Sequence, residues 1–305
     1  MIDLTNLGDL VVRKSYGGDV TFRIEKIERS VAIIKGTEFR LLADAPLTDL
    51  IKVDPDSPNE RANTANIRAT KSLEWLHRER VEQAERNRAV LNHEWNPQSS
   101  SQPEPSYFEV PGKVLHLDGD ERYLKKSLDL YERLRVPAHG YFVNESAMAG
   151  ALQRLLPTIR PEIVVLTGHD GVLKNRPNGN LYHLSSYKNS SHFVDAVGVA
   201  REYERNFDTL TIVAGACQSH FEALLQAGAN FASSPGRVLI HALDPVYIAA
   251  KASFTPIRDT IHIKDVLNNT ISGTQGVGGI ETRGSYRIGL PKPMDLATLK
   301  VVPSM

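Results

Sequence analysis

The chain has 305 residues, of which 41% are hydrophobic and 24% charged, the proportions of a soluble globular protein of about two domains. Thirty-six Lys and Arg balance thirty-six Asp and Glu, so no global basic field exists to hold nucleic acid or an anionic membrane. The single cysteine, Cys217, excludes an internal disulfide and a four-cysteine zinc site.

The opening Met1-Ile2-Asp3-Leu4 carries an acid where a secretion signal needs Lys or Arg, and no apolar segment comes after it. No stretch approaches the roughly 18 apolar residues that span a bilayer. The expected compartment is therefore the cytoplasm, where a lone thiol stays reduced.

Residues 7–53 alternate at period two: Leu10 and Val12; Val20, Phe22 and Ile24; Val31 and Ile33; Phe39 and Leu41; Ile51 and Val53. Gly17-Gly18-Asp19, Gly36 and Pro46 interrupt them, which predicts four or five short strands in a small SH3-like β-barrel over residues 1–53. Such a barrel binds peptide or nucleic acid, or simply supports the rest of the chain. Residues 54–110 form a second region. From Glu60 to Glu94 it is dense in Arg and Glu, with Glu74–Arg78 and Glu82–Arg86 at helical spacing. The apolar positions are too sparse for a convincing buried stripe, so the expectation is a solvated helix, with a partner-binding helix as the alternative. The Ser-, Gln- and Pro-rich run from Pro97 to Pro105 reads as a flexible tether.

From residue 111 to the end, strand and helix alternate. Strands are expected at Lys113–Leu117, Ala138–Val143, Ile163–Leu166, Leu210–Ala214 and Val238–Leu243. Helices are expected near Glu121–Arg135, Ser146–Leu156, Ser191–Arg205 and His220–Ala227. Short connections make this a doubly covered, mainly parallel α/β sheet. The third and fourth strands are apolar throughout, as strands buried on both faces should be.

Ligands of such sheets bind at the carboxyl ends of the strands. There the third strand runs into Gly168-His169-Asp170-Gly171 and the fourth into Gly215-Ala216-Cys217-Gln218-Ser219-His220. A thiol and an imidazole on adjacent strand tips make a nucleophile and its base. A helix just after Cys217 would lower the thiol pKa and offer N–H groups to an oxyanion. The backbone donors expected there belong to Gly168, Gly171, Ala216 and Cys217. His220 is the alternative base. Whether Asp170 orients His169 is left open, because adjacent side chains rarely face each other. Taken alone, a lone cysteine is more often an inert core residue. Three rival classes compete. One is a scaffold acting through the N-terminal barrel. Another is a nucleotide-binding domain, which lacks a glycine fingerprint after its first strand. The last is a metal hydrolase built on His116, His169, His220 and His241, whose spacing is not that of a ligand set. No cofactor and no metal are expected.

The strand–His loop–helix–strand–Ala-Cys order resembles the caspase-like cysteine peptidases. Residues 169 and 217 are separated by about the interval seen in caspases, although here Asp170 stands between the histidine and the next glycine. A closer resemblance, to the YabG family of sporulation-specific proteases, spans nearly the whole chain. It is carried by Arg13-Lys14-Ser15-Tyr16, the run from Gly112 to Asp120, Thr167-Gly168-His169-Asp170, Ala214 to Glu222, Ala227 to Pro235, His241 to Tyr247, and Gly278 to Gly284. The resemblance implies a protease of the mother cell of a sporulating bacterium, acting on spore-coat or cortex-associated precursors, with Cys217 as nucleophile and His169 as general base. Caspase-like folds build the pocket for the residue before the cut from the loop after strand one and from strand five. The acids there, Asp118, Asp120 and Asp244, imply cleavage after Arg and less well after Lys. Residue by residue, Asp118 and Asp120 read equally well as a capping turn, and Asp244 as a turn before Pro245. Protein substrates are the expected partners, with no membrane and no nucleic acid.

Overall fold

The computed structural model describes residues 6–54, 60–95, 107–173 and 180–293. The tether expected at Pro97–Pro105 lies outside them. Five strands open the chain: β1 (Leu10–Arg13), β2 (Phe22–Glu28), β3 (Val31–Gly36), β4 (Leu42–Pro46) and β5 (Leu50–Lys52). They form one antiparallel sheet in the order β4-β3-β2-β1-β5. Period-two patterning buries Ala32 and Ile34 of β3 against Val11, Phe22, Ile24, Ala45 and Leu50. No ladder joins β4 to β5 among the described residues, so the sheet stays open rather than closing into a barrel. A 36-residue helix, α1 (Glu60–Trp95), comes next, then β6 (Phe108–Val110).

The α/β body runs β7 (Val114–Asp118), α2 (Glu121–Leu134), β8 (Ala138–Phe142), α3 (Met148–Ile159), β9 (Ile163–Thr167), α4 (Ser190–Tyr203), β10 (Thr211–Ala214), α5 (Phe221–Ala227), β11 (Phe231–Ser233), α6 (Asp244–Phe254), β12 (Thr260–Ile261), α7 (Ile263–Asn269), α8 (Gly273–Gly276), β13 (Val277–Gly279), β14 (Thr282–Arg283) and β15 (Arg287–Gly289). Its main sheet has the order β13-β11-β10-β9-β7-β8, parallel except for the antiparallel edge strand β13. Alternate residues of the central strands serve opposite faces. Val164, Leu166, Ile212 and Ala214 pack with Leu152, Phe193 and Leu224 on one side. Ile163, Val165 and Val213 pack with Leu130, Val246 and Ile248 on the other. Both sets are apolar, hence the unbroken apolar runs in β9 and β10.

Two expectations need correction. The fifth parallel strand is β11, not Val238–Leu243. That segment makes no ladder in the main sheet; instead His241 forms a single antiparallel bridge with Phe39, in the loop between β3 and β4. Nor is α1 a solvated rod. Ala65 and Leu76 are buried against the body, and three side chains end on backbone carbonyls: Arg68 on Ile271, Ser72 on Asn269 and Arg80 on Leu134. The apolar residues that pack, Ala65, Ala69, Leu73 and Leu76, keep a helical period, but two are alanines and polar side chains extend the buried face, so the stripe is faint.

Candidate active site

Register places the site. In the parallel ladder Leu166 of β9 is paired with Ala214 of β10, and His169 and Cys217 each lie three residues beyond. Asp118 closes β7 opposite Thr167, and Asp120 stands two residues later. The carboxyl edges of three neighbouring strands thus carry two acids, an imidazole and a thiol.

His169 is 8% exposed, and its Nε2 lies 2.7 Å from Asp120 Oδ2. A carboxylate on Nε2 fixes the proton there, which leaves Nδ1 with its lone pair free. Nδ1 is buried and has no hydrogen-bond partner among the described residues. Asp120 also caps α2, accepting from the amides of Arg122 and Tyr123, and is ion-paired to Lys35 of β3. Burial works to raise its pKa, but the bonds from His169 and Lys35 outweigh it and hold the carboxyl well below the usual range. The partner that orients His169 is therefore Asp120, 49 positions away in the chain. Asp170, whose side chain the sequence left open as an orienter of His169, turns the other way. Its carboxylate accepts from the Gly171 and Asn189 amides and the hydroxyls of Ser190 and Ser219. It thereby stitches the histidine loop to the cysteine loop.

Glu145, to which the sequence drew no attention, accepts the His169 N–H at 2.7 Å. Its carboxylate lies across Gly119 and Gly168, at both of which a Cβ would collide with it. Two of the expected oxyanion donors are spent: the Ala216 amide donates to Ser219 Oγ and that of Gly171 to Asp170 Oδ1. Among the described residues the amides of the other two, Gly168 and Cys217, and that of Asp170 donate to no protein group.

Cys217 is fully buried, and its Sγ accepts from the Ile240 N–H at 3.2 Å. The thiol makes no hydrogen bond to His169. Burial pushes it up to about 12, against the lowering expected of a helix start. The reason is position: α5 begins only at Phe221, with His220 as its N-cap. That role also removes His220 as a base, because Nδ1 accepts from the Ala223 amide and Nε2 meets the Tyr182 carbonyl.

The three acids separate. Asp244 is fully buried, and its carboxylate takes the amides of Ile271 and Ser272, which anchor the turn after α7. Asp120 belongs to His169. Asp118, also fully buried, faces Arg40 of the β3–β4 loop: Nη1 meets Oδ1 at 2.9 Å and Nη2 lies 2.8 Å from Oδ2. Burial raises the Asp118 pKa, and the Arg40 charge more than reverses that, so the carboxyl stays ionised far below its ordinary range.

Comparison with known proteins finds one family over nearly the whole chain. The model of the family described as YabG peptidase U57 matches residues 6–291. The sporulation-specific protease YabG of Bacillus subtilis (strain 168) is 48% identical over 290 residues, which cover 93% of this chain and 97% of that relative.

Proposed function

Because the chain belongs to the YabG peptidase U57 family, we propose that it is a cysteine endopeptidase of sporulation that cuts spore-coat or cortex-associated proteins after Arg, and less well after Lys. It would act in the mother-cell cytoplasm and at the forming coat. The observation that carries the reading is the alignment of His169 and Cys217 at equal distances beyond paired strand residues, with Asp120 on one face of the imidazole and Nδ1 unpartnered on the other.

The chemical steps are set by these groups. Nδ1 of His169 takes the Cys217 proton, and the thiolate adds to the carbonyl carbon of the scissile bond. The Gly168, Asp170 and Cys217 amides are the donors left to receive the oxyanion. The C–N bond then breaks, the new amine leaves with the proton from Nδ1, and a thioester remains. Water, deprotonated by the same nitrogen, cleaves the thioester and restores the thiol. Asp120 keeps the imidazole in the tautomer this shuttle requires and stabilises the imidazolium formed midway. A thiol held near 12 forms little thiolate alone, so the reaction depends on the imidazole and on a substrate that draws the sulfur away from Ile240. Asp118 supplies specificity: a buried carboxylate favours a guanidinium, which it can engage with two parallel bonds, over an ammonium.

Hydrolysis of an Arg-aminomethylcoumarin peptide by the full chain tests the reading. Cys217→Ala and His169→Ala should each lower kcat by more than about 10³-fold. Cys217→Ala with unchanged turnover would sink it.

A further inference from the structure

The β3–β4 loop, Thr37–Leu41, reaches out of the N-terminal sheet into the cleft at the strand tips. Residues 38–40 run antiparallel to residues 240–242. The Ala242 amide donates to the Glu38 carbonyl at 2.9 Å, Phe39 bridges His241, and the Arg40 amide donates to the Ile240 carbonyl at 3.3 Å. Extended peptides are held in this way when they add to an exposed strand edge. Ile240 also donates its own amide to the Cys217 sulfur, and the Arg40 amide lies within reach of the same thiol. The chain at Arg40 therefore passes directly by the nucleophile.

The side chains complete the pattern. Arg40 is fully buried: its guanidinium pairs with Asp118, and its Nε and Nη2 donate to the Ala242 carbonyl at 3.3 and 3.2 Å. The Phe39 ring stands edge-on to His241 at 6.2 Å, and the Glu38 carboxylate lies 3.4 Å from His241 Nε2 and 3.8 Å from Lys126 Nζ. A buried ion pair is a poor way to glue one layer to another, since apolar residues of equal volume do as well or better. A buried arginine on an extended strand beside a nucleophile has a different logic, that of a ligand. The loop is also braced. Tyr123 donates its hydroxyl towards the Gly36 and Phe39 carbonyls, and the Leu41 amide folds back onto the Phe39 carbonyl at 2.7 Å. That tight turn engages the amide that would leave after a cut at Arg40.

We propose that Glu38-Phe39-Arg40 is an internal ligand of the substrate cleft, filling the positions of the three residues before the cut, with Arg40 in the specificity pocket. The inference rests on the peptidase reading of Cys217 and Asp118. It has two consequences. Substrates must displace the loop, so the resting chain is latent. The loop also reads out the neighbouring subsites: an acid facing His241 and Lys126, then an aromatic ring against His241, then Arg.

The experiment titrates fluorescein-labelled Glu-Phe-Arg amide into the full chain carrying Cys217→Ala, so that binding is read without turnover. Arg40→Gln and Glu38→Lys are added to that background. Arg40→Gln should tighten peptide binding at least about tenfold and Glu38→Lys about threefold. Glu38 is only partly buried, so its variant carries the test should Arg40→Gln fail to fold. Equal or weaker binding in the folded variants overturns the proposal. A parallel assay restores Cys217 and measures hydrolysis of an Arg-aminomethylcoumarin peptide. Tighter binding with no hydrolysis by any variant keeps the internal ligand and discards the peptidase reading. Hydrolysis that proceeds, with binding indifferent to both substitutions, does the reverse.

Discussion

The N-terminal sheet and helix α1 both pack on the same α/β body, and they do so by opposite means. The sheet reaches the candidate site with charge. Arg40 is wholly buried on Asp118, and Lys35 sits on Asp120. The helix packs on α6 and α7, where buried Ala65 and Leu76 are joined by side chains that end on carbonyls and by a partly exposed Lys251–Glu79 pair. Desolvating a charge is costly, and the cost is recovered only if the partner stays in place. Contacts like those of α1 are individually modest and can be lost one at a time. The sheet is thus tied to the state of the site, while the helix is tied to the stability of the fold.

That contrast can be broken at several points. Asp118→Ala leaves the buried Arg40 guanidinium without its counter-ion and should cost about 3–5 kcal/mol in urea unfolding; a loss under about 1 kcal/mol would mean that the pair is hydrated in solution. Asp120→Asn keeps the cap but loses the charge on His169 Nε2. It should lower kcat by about 10² or more with KM little changed, and move the pH profile of kcat. A fall in melting temperature with kcat intact would make Asp120 merely structural. Leu76→Ala on α1 should destabilise by about 2–3 kcal/mol and leave kcat and KM within twofold. A changed KM there would erase the distinction between the two regions.

Acid gives a smaller, graded test of the sheet alone. Asp118 and Asp120 are both held below the ordinary carboxylate range in the fold. As pH falls through about 4, the unfolded chain takes up protons that the folded chain still refuses, so stability declines. Their contribution is complete above that pH and fades below it. Melting temperature recorded from pH 6 to 3 should drop less steeply in Asp118→Asn than in the parent.

Much of the fold is legible in the residues. The apolar runs at Ile163–Leu166 and Ile212–Ala214 mark the central strands, and their parallel pairing puts the His169 and Cys217 loops at neighbouring strand tips. The parts that escape have physical reasons. β11 is three residues long and carries no pattern of its own. Val238–Leu243 has the composition of a strand, but only His241 makes a bridge, and its partner, Phe39, lies some two hundred residues earlier in the chain. Helix α6 is apolar on nearly every face, from Val246 to Ala252, so no helical period betrays it. Asp120 reads in the sequence as a substrate contact or a cap; it does cap α2, while its bond to His169 has no sequence signal. The environment of Cys217 misleads most: a helix start predicts a sharpened thiol, yet the turn at Cys217-Gln218 buries it before α5 begins.

The peptide unit of Ile240 serves both partners at once, giving its N–H to the Cys217 sulfur and receiving the Arg40 N–H on its carbonyl. One amide therefore works as a gauge inside the molecule. Labelled with nitrogen-15, its resonance should shift when the loop departs and again when the sulfur is alkylated, and its hydrogen-exchange rate should track how often the cleft stands open.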